Sequence, residues 1–141
     1  MMKVYLAGPM KGHPYFNFPL FNTAARALRN LGFVVVNPAE HDATTYPDIS
    51  TWPGYATGDT DACPEFNLAD VLRWDFHNLM ECDGIVMLPG WENSSGARDE
   101  RHIAERTGLR IFSAHFDKDE RNPILVEEYP RMHGPTVKEV A

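Results

Sequence analysis

Apolar residues along this chain fall into short continuous runs separated by amphipathic stretches. Lys3 to Ala7 (KVYLA) is a β-rich run closed by Gly8-Pro9, the pattern of a buried strand. Behind Asn17, a residue able to cap a helix, Phe18, Phe21, Ala25, Leu28 and Leu31 recur at helical spacing until Gly32. Phe33 to Val36 is again continuously apolar and is closed by Asn37-Pro38. A strand, a helix and a strand joined this tightly predict a parallel βαβ unit. From 38 to 64 neither period survives. That stretch carries five prolines or glycines after Pro38, with Tyr46, Trp52 and Tyr55 among them, and is expected to be a lid-like loop. Pro64 is expected to open a second helix running to about Met80, before a third strand at Gly84 to Leu88. After the polar loop Pro89 to Ser95, Gly96 begins a third helix that Gly108 ends, and Leu109 to Phe112 reads as a fourth strand. The remainder, 114 to 141, reads as a polar tail with Ile124 to Val126 as a candidate edge strand. The expected fold is a single α/β domain over 1 to 141. It is Rossmann-like (flavodoxin-like), with a parallel sheet of four or five strands flanked by helices.

Composition narrows what such a domain can do. The 141 residues suit one hydrophobic core, and the formal net charge of −7 argues against a nucleic-acid polymer as partner. Cys63 and Cys82 form no CxxC pair, and the six histidines show neither HxxxH nor HExxH spacing. No metal or cofactor is therefore called for. No signal-peptide pattern precedes the first strand and no apolar run is long enough to span a bilayer. A cytoplasmic protein without a membrane partner is expected.

The candidate chemistry comes from acids placed on apolar helix faces. In the second helix Leu68, Val71, Leu72 and Leu79 form a stripe, and at about 100° per residue Asp75 falls within it. In the third helix Ala97, Ile103, Ala104 and Thr107 make a narrow apolar face with Glu100 at its centre. Arg98, Asp99, His102 and Arg106 point away from that face. A single inward acid is more often structural. Two of them in one small domain suggest a shared polar cavity, because burying an unpaired carboxylate is costly. In open α/β sheets such cavities lie at the carboxyl ends of strands, and Gly8 and Pro89 mark two of these.

The surroundings of Glu100 suit a ligand with negative charge. Ser94 and Ser95 supply hydroxyls ahead of the third helix, Gly96 permits close approach, and a helix N-terminus favours an anion. Ser94 or Ser95 is also a candidate helix cap, and a cap can line a site as well. Lys11, in Gly8-Pro9-Met10-Lys11-Gly12, offers a cation after the first strand, although the segment is not a P-loop.

Taken in order, several segments carry a resemblance. They are Tyr5 with Gly8, Arg73-Trp74-Asp75 followed by Cys82-Asp83-Gly84, and Ser94-Ser95-Gly96 with Glu100 four positions beyond. In these the chain resembles the nucleoside 2-deoxyribosyltransferase superfamily. The likeness is greatest to its small phage-type branch, related to 2′-deoxynucleoside 5′-phosphate N-hydrolases, and runs from the first strand through the fourth. The resemblance implies cleavage of an N-glycosidic bond, by base exchange or by hydrolysis. It gives Glu100 the role of nucleophile at the anomeric carbon, Asp75 that of an assisting acid at base or sugar, and Tyr5 that of positioning the nucleophile. Ser94 would contact a phosphate, and a homo-oligomer, most simply a dimer, is implied. The chain departs from the transferases where Glu92-Asn93 stands in place of an aspartate before the nucleophile.

The chemistry is consistent with the residues themselves. An oxocarbenium-like transition state is stabilised by a carboxylate that can trap it as an ester, while a second acid serves the departing base. Asp75 is the first candidate for that acid and Asp83, at a strand start, the second. Trp52 and Tyr55 are expected to stack on the base. The alternative is a nucleotide-binding sensor module on the same fold, which would use Lys11, Ser94 and Gly96 without needing Glu100.

Overall fold

A computed structural model describes residues 1–63, 65–117 and 123–128. Strands β1 (Lys3–Ala7), β2 (Val34–Val36), β3 (Gly84–Met87), β4 (Arg110–Phe116) and β5 (Pro123–Glu128) form one sheet in the order β2-β1-β3-β4-β5. The first four are mutually parallel, with Tyr5 beside Val36 on one side and Ile85 on the other. Four helices flank the sheet: α1 (Phe18–Asn30), α2 (Pro38–Thr45), α3 (Leu68–Met80) and α4 (Ser95–Thr107). This is a single-domain Rossmann-like fold.

Strand alternation divides the core in two. Val4, Leu6, Val35, Val86 and Leu88 pack with Phe18, Phe21, Ala25 and Leu28 of α1 on the first face. Tyr5, Ala7, Ile85, Met87 and Ile111 pack with Leu79, Ala97 and Ala104 of α3 and α4 on the second. The helix α2 packs on α1. Its Ala39 joins the first face, while its His41 ring stacks on Trp74 of α3, with centroids 3.8 Å apart.

Several expectations are corrected. The segment 38–64 is not an unstructured loop. Asn37 caps α2 by accepting from the Ala39 N–H, and Pro38 occupies the first turn, where its missing donor costs nothing. Further on, Ile49–Thr51 and Thr60–Ala62 are short 3-10 turns. The second helix starts at Leu68 rather than at Pro64, which lies outside the described residues. Asn67 sets that boundary by accepting from the Asp70 N–H.

The sheet is not wholly parallel, because β5 runs antiparallel to β4, from Ile111 beside Glu128 to Phe116 beside Pro123. The stretch 117–122 is too short for a crossover, so the chain can only return beside the strand it left. Residues 114–116 belong to β4 instead of beginning the polar tail, and 129–141 lie outside the described residues. Asn17 precedes α1 with a left-handed backbone and does not cap it through its side chain, which donates to the Pro9 carbonyl instead. The stripe on α3 is only partly in the core: Leu79 is buried, Val71 and Leu72 are half-buried, and Leu68 is 60% exposed. Among the described residues no helix is long and apolar enough to cross a membrane.

Candidate active site

After β1 the chain turns to β2 on one side and later to β3 on the other. The carboxyl ends of β1 and β3 therefore flank the point where the sheet order reverses, the usual crevice for a ligand in an open α/β sheet. The two ends are held close. A Cβ added to Gly8 would stand 2.9 Å from the Leu88 Cβ, so a side chain there would force the strands apart.

Tyr5 points from β1 into the second face and is fully buried. Glu100 reaches the same place from α4, where Ala97 and Ala104, one turn away on either side, keep that face small enough to lie on the sheet. Glu100 is only 7% exposed, and the Tyr5 hydroxyl donates a hydrogen bond to its Oε2. The nearest cation along the chain does not neutralise it. Arg101 pairs with Glu105 at 3.0 Å and with Glu128, and its guanidinium lies over the Trp91 ring.

Asp75 comes from α3, half-buried as a residue, but its Oδ1 is shielded from solvent without a hydrogen-bond partner. A further buried acid lies on α2. Asp42 on α2 is 5% exposed, and its carboxyl has no side-chain hydrogen bond among the described residues.

Burial dominates the electrostatics. It raises the Glu100 carboxyl well above the ordinary range; the Asp75 charge adds to this, and the Tyr5 hydroxyl works against it. Burial raises Asp75 to about 6, with the Tyr5 hydroxyl again opposing. Asp42 is pushed up to about 7 by burial and by repulsion from Asp75. Tyr5 is raised well above 10.0, first by burial and then by Glu100 and Asp75. Burial, with repulsion from Asp75, gives a site whose carboxyls hold protons near neutrality, while the Tyr5 hydroxyl favours the ionised form of Glu100 and Asp75. Such a site can offer a carboxylate as nucleophile and a carboxyl as acid. Among the described residues no group of three or more His, Cys, Asp or Glu is placed to hold a metal ion.

The other expected site residues divide between the two faces. Ser94 caps α4, its Oγ accepting from the Ala97 N–H at 3.2 Å, which leaves its own hydroxyl proton free for a ligand. Ser95 is exposed, and Gly96 has open space where a Cβ would project. Lys11 is exposed in the loop after β1.

Trp52 and Tyr55 are not brought to Tyr5 and Glu100; both pack against the first face. The Tyr55 ring meets Tyr15, Phe16 and Phe18, and its carbonyl accepts from the Tyr15 N–H at 2.9 Å. This supports a turn in which Tyr15, Phe16 and Asn17 all have positive φ, an arrangement that needs packing to hold it. Asp83 accepts from the Lys3 N–H at the amino end of the sheet, away from the cluster, and is structural. An open cleft of about 460 Å³ runs along α1 and α2, lined by Asn22, Arg26, Arg29, Asn30, Asn37 and Glu40. Its Arg29 is already engaged by Glu40 and the Val35 carbonyl.

Sequence reasoning missed Asp42 and the His41–Trp74 stack. The available signal was Asn37-Pro38, a cap followed by a proline suited to a first helical turn, which would have put a helix under Asp42. No curated protein matches the chain. A family match covers residues 2–113, from β1 to within β4, and so includes every residue of the cluster. By that match the chain belongs to the family described as a domain of unknown function, DUF4406.

Proposed function

We propose that the protein cleaves the N-glycosidic bond of a nucleoside or its 5′-monophosphate, with Glu100 as the nucleophile. The observation that carries this reading is the buried Tyr5–Glu100 hydrogen bond at the strand-order reversal, with Asp75 beside it. The ionised Glu100 carboxylate attacks the anomeric carbon as positive charge develops there, and the bond to the base breaks. An acid at Asp75 supplies the proton or hydrogen bond that the departing base needs. Water or a second base then takes the sugar from Glu100. Tyr5 steadies the charge that burial opposes. The order of Tyr5, Asp75 and Glu100 along the chain, as in the nucleoside deoxyribosyltransferases it resembles, supports the same roles.

A 5′-phosphate is the expected handle. The Ser94 hydroxyl, the α4 amino terminus and Lys11 supply donors, and a charge-assisted hydrogen bond is worth roughly 1.5–3 kcal/mol. Removal of the phosphate is therefore expected to cost at least ~10-fold in kcat/KM. We further propose a cytoplasmic homodimer. Both cysteines are free and buried, as in a reducing compartment, and α3 leaves Leu68 and Met80 exposed and Val71, Leu72 and Phe76 only half-covered.

The test is incubation with a panel of nucleosides, deoxynucleosides and their monophosphates, followed by chromatography for free base. Release of base from a monophosphate, faster than from its nucleoside, is the expected result. Binding without release from any member would move the protein to a nucleotide sensor.

A further inference from the structure

The segment that follows α2 does not meet the acids, but it grips the loop that leaves β1. At the carboxyl end of β1 the chain makes a tight turn, Met10 to His13, closed by the His13 N–H donating to the Met10 carbonyl at 3.2 Å. Lys11 is exposed at its tip, and among the described residues its ammonium has no ion pair. Gly12 follows with a φ of 82°. Just beyond, Tyr15, Phe16 and Asn17 have φ of 57°, 51° and 59°, a run of left-handed backbone that costs energy at each non-glycine residue. A loop of this kind needs outside support to keep its shape.

The support comes from residues 54–58. The Gly12 N–H donates to the Gly58 carbonyl at 2.8 Å. The Tyr55 carbonyl accepts from the Tyr15 N–H at 2.9 Å and from the Gly58 N–H at 3.3 Å. The contact is close enough to exclude a side chain. A Cβ at Gly58 would stand 2.7 Å from the His13 nitrogen and closer still to the His13 carbonyl oxygen, and Gly58 itself has a φ of 74°. At the other end of the loop the Asn17 Nδ2 donates to the Pro9 carbonyl at 2.8 Å. Pro9 also lies against Gly90, where an added Cβ would meet its ring at 3.2 Å. Gly90 follows β3, so the loops after β1 and β3 touch beside the strand-order reversal.

We infer that Gly58 is a positioning residue for the anionic end of the ligand: through Gly12 and His13 it sets the turn that presents Lys11 to a phosphate monoester. The inference deepens the proposed function and rests on it for the substrate, while the grip on the turn rests on the contacts above. Strained backbone persists where its surroundings over-determine it, and here it frames a lysine with no ion pair at the end of the sheet where ligands bind. Gly58 touches no ligand; it acts by fixing where the Lys11 backbone lies, and a charge-assisted bond depends on that placement. The segment expected to cover the base thus serves the opposite end of the same molecule.

The test compares wild type, Gly58→Ala, Lys11→Ala and the double variant on a deoxynucleoside 5′-monophosphate and on its parent nucleoside. Gly58→Ala is expected to raise KM for the monophosphate about tenfold with kcat changed less than about twofold. On the nucleoside its kcat/KM is expected to change less than about threefold. Added to Lys11→Ala, it should raise KM less than about threefold further, because the turn has lost the group it places. Equal losses on the two substrates, or effects of the two substitutions that multiply in full, would overturn the inference, since a general defect of the fold does not distinguish a phosphate from its absence.

A second measurement needs no turnover and no variant. Inorganic phosphate is titrated into wild type while the backbone amides are followed by NMR. The Lys11, Gly12 and Gly58 amides are expected to shift together along one saturation curve. Phosphate that leaves these three unmoved would overturn the inference, whether or not Gly58→Ala folds. A wild-type protein that releases base from neither substrate would overturn the N-glycosidic reading, and the phosphate titration would then decide the positioning by itself.

Discussion

The two faces of the sheet part company within a single strand. Val4 and Leu6 leave β1 on the side of α1 and meet phenylalanines, alanines and leucines. Tyr5, between them in sequence, leaves on the side of α3 and α4 and meets a buried glutamate. The first face is closed further by the segment that follows α2, where Ile49, Trp52, Tyr55 and Cys63 pack down on it. The second face is covered more thinly, with only Leu79 of α3 fully buried. One side of the sheet is thus arranged for stability. The other carries Glu100 and Asp75, carboxyls whose ionisation the fold opposes, which is how proteins accommodate a site at a cost in stability.

That contrast can be broken most forcefully at Glu100. Glu100→Gln keeps the shape and removes the nucleophile, so kcat is expected to fall by about 10³-fold or more. Folding is expected to be as stable as wild type or more so at neutral pH, since a neutral amide no longer resists burial. Denaturant unfolding beside steady-state kinetics checks both halves. A variant that keeps most of its activity would refute the assignment.

The opposite outcome is expected on the first face. Phe21 is 1% exposed in the α1 core, and Phe21→Ala is expected to lose about 3–5 kcal/mol of stability. The folded fraction should retain its KM. A specific kinetic defect with little loss of stability would erase the distinction between the faces.

A smaller effect sharpens the comparison through pH. A carboxyl whose folded pKa is raised stabilises the fold fully below its unfolded value, and that contribution disappears as pH rises through the folded value. For Asp42 the window runs from 3.8 to about 7, and for Asp75 from 3.8 to about 6. Wild-type stability is expected to fall across that range. Asp42→Asn should remove part of the slope and gain on the order of 1–3 kcal/mol near neutrality. Equal pH slopes for wild type and variant would show that the Asp42 carboxyl is not held protonated by the fold.

What the sequence disclosed follows from the same division. β1 and β3 were legible because both faces of each are covered, so their apolar runs are continuous. Glu100 stood out because Ala97 and Ala104 define a narrow buried face around it. Asp42 did not, because α2 buries only Pro38, Ala39 and Asp42 and shows no apolar period to measure it against. Trp52 and Tyr55 suit stacking on a base by pattern alone, but an aromatic ring in a turn-rich segment serves a core as readily as a ligand, and only tertiary packing distinguishes the two. The direction of β5 was available from the shortness of 117–122. Its pairing partner was not, since Glu127 and Glu128 enter the strand through Arg110, Arg101 and Ser113 rather than through apolar alternation.

The central claim, a sugar carried on Glu100, has a direct measurement. A 2-fluoro deoxynucleotide slows breakdown of a glycosyl ester, so protein treated with it and digested should yield one peptide heavier by the fluorinated sugar phosphate. The account predicts that this mass lies on the peptide containing Glu100 and is absent from Glu100→Gln. The label on the peptide containing Asp75, or release of base with no labelled peptide at all, would contradict it.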